Sequence, residues 1–139
     1  MGTFEHFPTA TVADFQANAA TGTFSSPQNI NDNNTATPAE GLSVDQYCEI
    51  DFGKIVIIGK WRMFGHSSND GDGAAKIQYW DIGNATWEDW VTGIPTRIAA
   101  TWSDFTIEET IFATTKVRFT VTALPTDNDY RVGELEVIY

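Results

Sequence analysis

Apolar and polar positions alternate with a period of two along most of this chain, and the alternation is strongest between Tyr47 and Gly65. Cys48, Ile50 and Phe52 alternate there with Tyr47, Glu49 and Asp51. Side chains two apart share one face of a strand, so this segment predicts a strand with one apolar and one largely polar face. Gly53-Lys54 interrupts the pattern. A second strand is expected over 55–65, with Ile55, Ile57, Trp61 and Met63 on one parity and Val56, Ile58, Lys60, Arg62 and Phe64 on the other. A β-branched run of this kind calls for cover on both faces.

Further strands are expected at Ala74–Trp80, Thr86–Val91, around Phe105 and Ile107, at Lys116–Thr122 and at Val132–Tyr139. His66–Gly73, Asp81–Asn84 and residues 92–102 carry the Gly, Asn, Asp and Pro that make turns. Residues 1–23 are anchored by Phe4, Phe7 and Phe15, and predict an arm or edge strand followed by one helical turn within 12–20. Short strands at this spacing, with no ten-residue helical pattern, predict an all-β sandwich, a closed barrel being the alternative.

From Phe24 to Leu42 the apolar period is lost and Ser, Pro, Asn, Asp and Thr dominate. A loop this long inside a compact domain needs something to hold it. Its oxygen-bearing side chains point to a hard cation; the alternative is that they cap their own backbone.

The chain has 139 residues, which favours one domain, and its 19 acidic against 8 basic residues give a net charge of −11. That charge disfavours nucleic acid and anionic membranes, both of which need a cationic surface. Membrane insertion is not expected either, because no run approaches the roughly eighteen apolar residues of a span. The N-terminal residues lack the basic and apolar regions of a secretory signal, so export is not encoded in the chain as it stands. The single cysteine, Cys48, falls on the apolar parity of its strand and reads as a small buried hydrophobe.

Taken together, Pro27–Thr37, Tyr47–Lys54, Lys76–Tyr79 with Thr86-Trp87, Lys116–Phe119 and Gly133–Val137 resemble, in order, the pieces of the discoidin or coagulation-factor C-type domains and the galactose-binding-like carbohydrate-binding modules. The resemblance covers residues 19–139 and leaves 1–18 as an N-terminal arm or edge strand. It implies a jelly-roll β-sandwich. Asn33 stands where the family pattern has glycine, and Pro38-Ala39-Glu40 stands where a tryptophan is common.

The resemblance further implies a structural calcium held by Asp32, Asn34 and Thr37, the backbone oxygens of Asn29 and Gly133, and the carboxylate of Glu134. It also places ligand loops after the central strand, where His66, Asn69 and Asp70 offer directional hydrogen bonds to sugar hydroxyls. Of five tryptophans, Trp61, Trp80 and Trp87 are expected to pack, whereas Trp90 and Trp102 lie beside loops; Trp102 is taken as the stacking candidate.

Catalytic readings find little material. Asp51-Phe52-Gly53 lacks the rest of a kinase signature. Glu88-Asp89 and Glu108-Glu109 are adjacent on strands and so point to opposite faces, and there are only two histidines. The expected function is therefore non-catalytic recognition of a glycan, of galactose type, by an extracellular module stabilised by calcium. The competing class is a virion structural protein, at the virion surface, that uses the same sandwich to contact neighbouring subunits.

Overall fold

The apolar run that the sequence divides in two is a single strand, β3 (Tyr47–Phe64), 18 residues long in the computed structural model, which describes residues 6–139. Gly53 adopts a φ of 72°, and the register with the neighbouring strand shifts between Asp51 and Val56. The Gly-Lys break is thus a bulge, which bends a strand without ending it. The same correction applies to its partner. The segments expected around Phe105–Ile107 and at 116–122 are one strand, β6 (Thr106–Ala123), which follows β3 through both of its irregularities.

The remaining elements are a short helix α1 (Val12–Gln16), β1 (Thr21–Gly22), a 3-10 turn over Pro27–Ile30, β2 (Ala39–Gly41), β4 (Ala74–Asp81), β5 (Thr86–Pro95), β7 (Tyr130–Val132) and β8 (Glu134–Ile138). All strand pairs are antiparallel, in the order β1-β3-β6-β4-β5, with β8 added to the end of β3 and a separate β2-β7 pair. The first half of β3 lies beside β1 and β6; its last five residues pair with β8, Lys60 with Ile138 through Phe64 with Glu134. The result is the expected jelly-roll β-sandwich.

Alternation in the strands fills the space between the layers. Ile50, Val56, Ile58, Ile77, Val117 and Phe119 are fully buried together with Tyr130, Leu135 and Val137. The Tyr130 hydroxyl, which would be costly to bury alone, donates to the Ile94 carbonyl at 2.9 Å. Cys48 is fully buried, and burial pushes its thiol well above the ordinary pKa.

Of the N-terminal segment, residues 8–15 pack against β3; Phe4 lies outside the described residues. Thr11 and Asp14 cap α1 reciprocally, and Phe15 is fully buried with its ring 5.9 Å from Phe52. Ala10 and Pro8 exchange backbone hydrogen bonds with Ile57. This segment supplies the second cover that Val56-Ile57-Ile58 requires. Among the described residues no helix is long and apolar enough to cross a membrane.

Candidate functional site

Two features of the loops carry chemistry. The first is the segment after the 3-10 turn. Asn31, 2% exposed, donates to the carbonyls of Phe15 and Asn18 and accepts from the Ala20 amide, which fixes where the loop begins. Asn33 follows with a φ of 60°, a left-handed conformation that Asn tolerates better than most residues. That turn aims its amide at Glu134 Oε2, 2.8 Å away. Asp32 accepts from the Asn34 amide and Asn34 from the Ala36 amide, both at 3.0 Å, so the loop does cap part of its own backbone. Asn29 donates its side-chain amide to the Pro38 carbonyl at 3.1 Å and closes the loop.

Glu134 heads β8 and is 1% exposed, yet its Oε1 has no hydrogen-bond partner. Its pKa is raised to about 8, chiefly by burial and further by the adjacent Asp32 carboxyl, against the amides of Asn33 and Asn34, which lower it. A Cβ on Gly133 would stand 2.9 Å from the Gly65 carbonyl oxygen, so only glycine lets the chain reach β8 here. Two carboxyls of like charge, one buried with an orphaned oxygen, form a cradle suited to a cation. The donors are all oxygen. Asn34, the exposed Thr37 and nearby backbone carbonyls, with no thiolate or imidazole, suit calcium rather than zinc. Among the described residues no three His, Cys, Asp or Glu side chains gather as ligands. Beyond the two carboxylates, any shell must therefore be neutral oxygens.

The second feature is the meeting of three segments: the loops 65–73 and 96–103, and the 124–129 loop with the start of β7. Asn69, expected to face a sugar, is instead their clasp: 6% exposed, it donates to the carbonyls of Arg97 and Arg131, both at 2.9 Å, and accepts from the Arg131 amide at 3.0 Å. Its amide is fully committed, so it is removed from the ligand set. Arg131 continues the clasp, to the Ser68 carbonyl and to Asp127 and Asp129. Asp129 is buried with an orphaned Oδ1, and its pKa is raised to about 7 by burial, then by Glu40.

Of the other expected contacts, His66 Nδ1 accepts from the Ser68 amide, which leaves Nε2 as the outward nitrogen, and the Asp70 side chain is exposed. Trp102 is half-buried rather than open: Phe64 meets it edge-on at 5.7 Å and the Arg62 guanidinium lies 4.1 Å over its ring. The 96–103 loop, with the ends of β3, β5 and β6, encloses a cleft of about 340 Å³ lined among others by Trp61, Met63, Ile94, Thr96, Arg97 and Ser103. Ser103 Oγ accepts from the Met63 amide at 3.0 Å, so its hydroxyl proton is available to another group. None of these lining residues was singled out for a ligand from the sequence: Trp61 and Met63 read there as strand residues, and from the 92–102 loop only Trp102 was taken.

The architecture is that of the family 32 carbohydrate-binding modules, the discoidin-like, galactose-binding-like β-sandwiches. No model of a known protein family matches the chain, and no curated protein does. Among solved structures, a pectin-binding carbohydrate-binding module is 17% identical, with a TM-score of 0.71 over 86% of this chain and 88% of that one. The family 32 module of AlyQ, in complex with 4,5-unsaturated mannuronic acid, is 15% identical with a TM-score of 0.71, covering 87% and 93%. The family 32 module of Clostridium perfringens NanJ, in complex with galactose, is 10% identical with a TM-score of 0.69, covering 95% and 98%. At these identities the likeness is one of fold.

Proposed function

We propose that this chain is a non-catalytic glycan-recognition module that acts outside the cell and takes its ligand at the cleft beside the 96–103 loop. The observation that carries the reading is the cleft itself, in a fold whose neighbours include modules solved with bound sugars. Its floor of Met63 and Ile94 with the flank of Trp61 matches the C–H face of a pyranose. The Ser103 hydroxyl and Nη1 of Arg97, whose Nε and Nη2 are given to Thr101 and Trp102, supply hydrogen bonds at the wall, and His66 Nε2 and the Asp70 carboxylate lie on the neighbouring loop. Trp102 braces the wall through Arg62 and Phe64.

Calcium belongs to the same reading. Asp32 and Glu134, with Asn34, Thr37 and the backbone oxygens of Asn29 and Gly133, would hold it. Bound there, it would offset the repulsion between the two carboxyls and tie the 29–37 loop to β8. Carboxylates elsewhere give little to catalysis: Glu108 accepts from the Trp61 indole at 2.9 Å, and Asp89 is paired with Lys76 at 3.0 Å.

A shallow cleft that orders flexible hydroxyls binds a single sugar weakly, with a Kd of about 0.1–1 mM. A glycan array followed by calorimetry on the purified chain tests this. Ser103→Ala and His66→Ala should weaken the ligand found without lowering the melting midpoint. A broad array without a binder removes the proposal.

A further inference from the structure

The start of β7 carries a group of charges that neither the cradle nor the cleft uses. Arg131 pairs through Nη1 with Asp127 Oδ2 at 2.8 Å and through Nη2 with Asp129 Oδ2 at 3.0 Å. Glu40 stands opposite Arg131 in the antiparallel β2-β7 register, so the two side chains leave the ribbon on the same side. Three carboxyls thus face one guanidinium, and among the described residues no other cation lies within ion-pair distance of them. Asp127 is matched by Arg131, which holds its carboxyl below the ordinary range, and it also accepts from the Asp129 amide at 3.3 Å. Asp129 has no such relief. It is 9% exposed, its Oδ1 has no donor, and its hydrogen-bonding neighbour is the Glu40 carboxyl.

We propose that Glu40 and Asp129 share one proton, and that this proton is a latch that holds the start of β7, and through it the loops 65–73 and 96–103, in place. Ionised carboxyls only accept, so two of them in contact need one proton between them. It supplies the missing donor to Oδ1 and removes one of two like charges, as in a carboxyl dyad. Loss of the proton leaves Oδ1 facing a second carboxylate inside the fold, and the pair must part. The β2-β7 pair yields, because it consists of only three residue pairs. Asn69 passes the movement on, since it is bonded to the amide and carbonyl of Arg131 and to the carbonyl of Arg97. Burial and then Glu40 raise the Asp129 pKa to about 7, so the latch is closed in mild acid and opens as pH rises through 7. Glu40, Asp129 and Arg131 lie outside the cleft lining, so the latch stands whatever the cleft binds.

Carboxyl-carbon and amide NMR of the full chain between about pH 4 and 9 tests this, on a His66→Gln background that removes the one imidazole from these loops. Asp129 should titrate with a midpoint of about 7, and the amides of Asn69, Arg97 and Arg131 should shift with that midpoint. Glu40→Gln, whose uncharged amide donates to Oδ1, should lower the Asp129 midpoint by at least about one pH unit and carry the loop shifts with it. Asp129→Asn, which keeps a donor facing Glu40, should abolish those shifts while the spectrum stays dispersed. Because Glu40→Gln moves a midpoint rather than removing a signal, a loss of folding cannot imitate it. An Asp129 midpoint near the ordinary 3.8, a midpoint that Glu40→Gln leaves unchanged, or loop amides that ignore the titration overturns the proposal.

Discussion

Replacing Glu134 by Gln separates the cost of the buried carboxyl from its use. Burial and Asp32 raise its pKa to about 8 from an ordinary value of 4.5, so in the absence of a cation the folded protein holds this proton more tightly than the unfolded chain. The contribution of this group to stability is therefore greatest below 4.5 and falls as pH rises from 4.5 toward 8. From 4.5 to pH 7, at about 1.4 kcal/mol per pH unit, the loss reaches about 3 kcal/mol. That is a ceiling, since relaxation of the exposed loop relieves part of it. Gln keeps an oxygen for the Asn33 amide and does not titrate.

In chelator, Glu134→Gln should match the wild type near pH 4.5 and melt above it by at least about 5 °C at pH 7.5, given about 2–5 °C per kcal/mol for a domain of this size. Calcium at a hundredfold over its dissociation constant should return about 2.7 kcal/mol to the wild type and nothing to the variant. Differential scanning calorimetry at several pH values, with and without calcium, reads both effects. Parallel pH profiles for the two proteins in chelator, together with a wild-type midpoint that ignores calcium, would refute the reasoning.

Asn69→Ala removes three hydrogen bonds that tie its loop to both Arg97 and Arg131, and should cost roughly 2–4 kcal/mol in urea denaturation while weakening sugar binding at the cleft. Asp129→Asn should flatten a second fall in stability. Its carboxyl is raised from 3.8 to about 7 by burial and Glu40, so wild-type stability declines as pH climbs between those values and the variant's does not; melting midpoints against pH read the difference. Cys48 should resist a thiol reagent in the native protein at pH 8 and react at once in denaturant, because it is fully buried and its thiol is held protonated; rapid native labelling would contradict the packing.

What could be read from the residues alone follows from the range of each interaction. Alternation at Cys48–Phe52 and Val117–Val121 names the core faces correctly, because it reflects a local property of the strand. Gly53-Lys54 misleads, because a glycine in a bulge and one in a turn look alike until the partner strand is known. Asn31 and Asn69 are hidden for another reason: in sequence they belong to polar loops, and their burial depends on carbonyls up to 62 residues away. The contact of the Asn33 amide with Glu134 spans 101 residues, and only the family resemblance brought this loop and Glu134 together in advance, through Asp32, Asn34 and Thr37. Trp80 and Trp87 were expected to pack in the interior. They are half-buried on the outer face, because cross-strand aromatic pairs serve either side of a sheet equally well.

The central claim is that the cleft beside the 96–103 loop receives a sugar. An amide NMR titration of the calcium-loaded chain with the glycan selected on the array tests it most directly. Shifts should saturate with one affinity and cluster at Thr96, Arg97, Ser103 and His66, and disappear in Ser103→Ala while the spectrum stays dispersed. Saturating shifts confined to other parts of the sandwich, or no shifts at millimolar sugar, would contradict it.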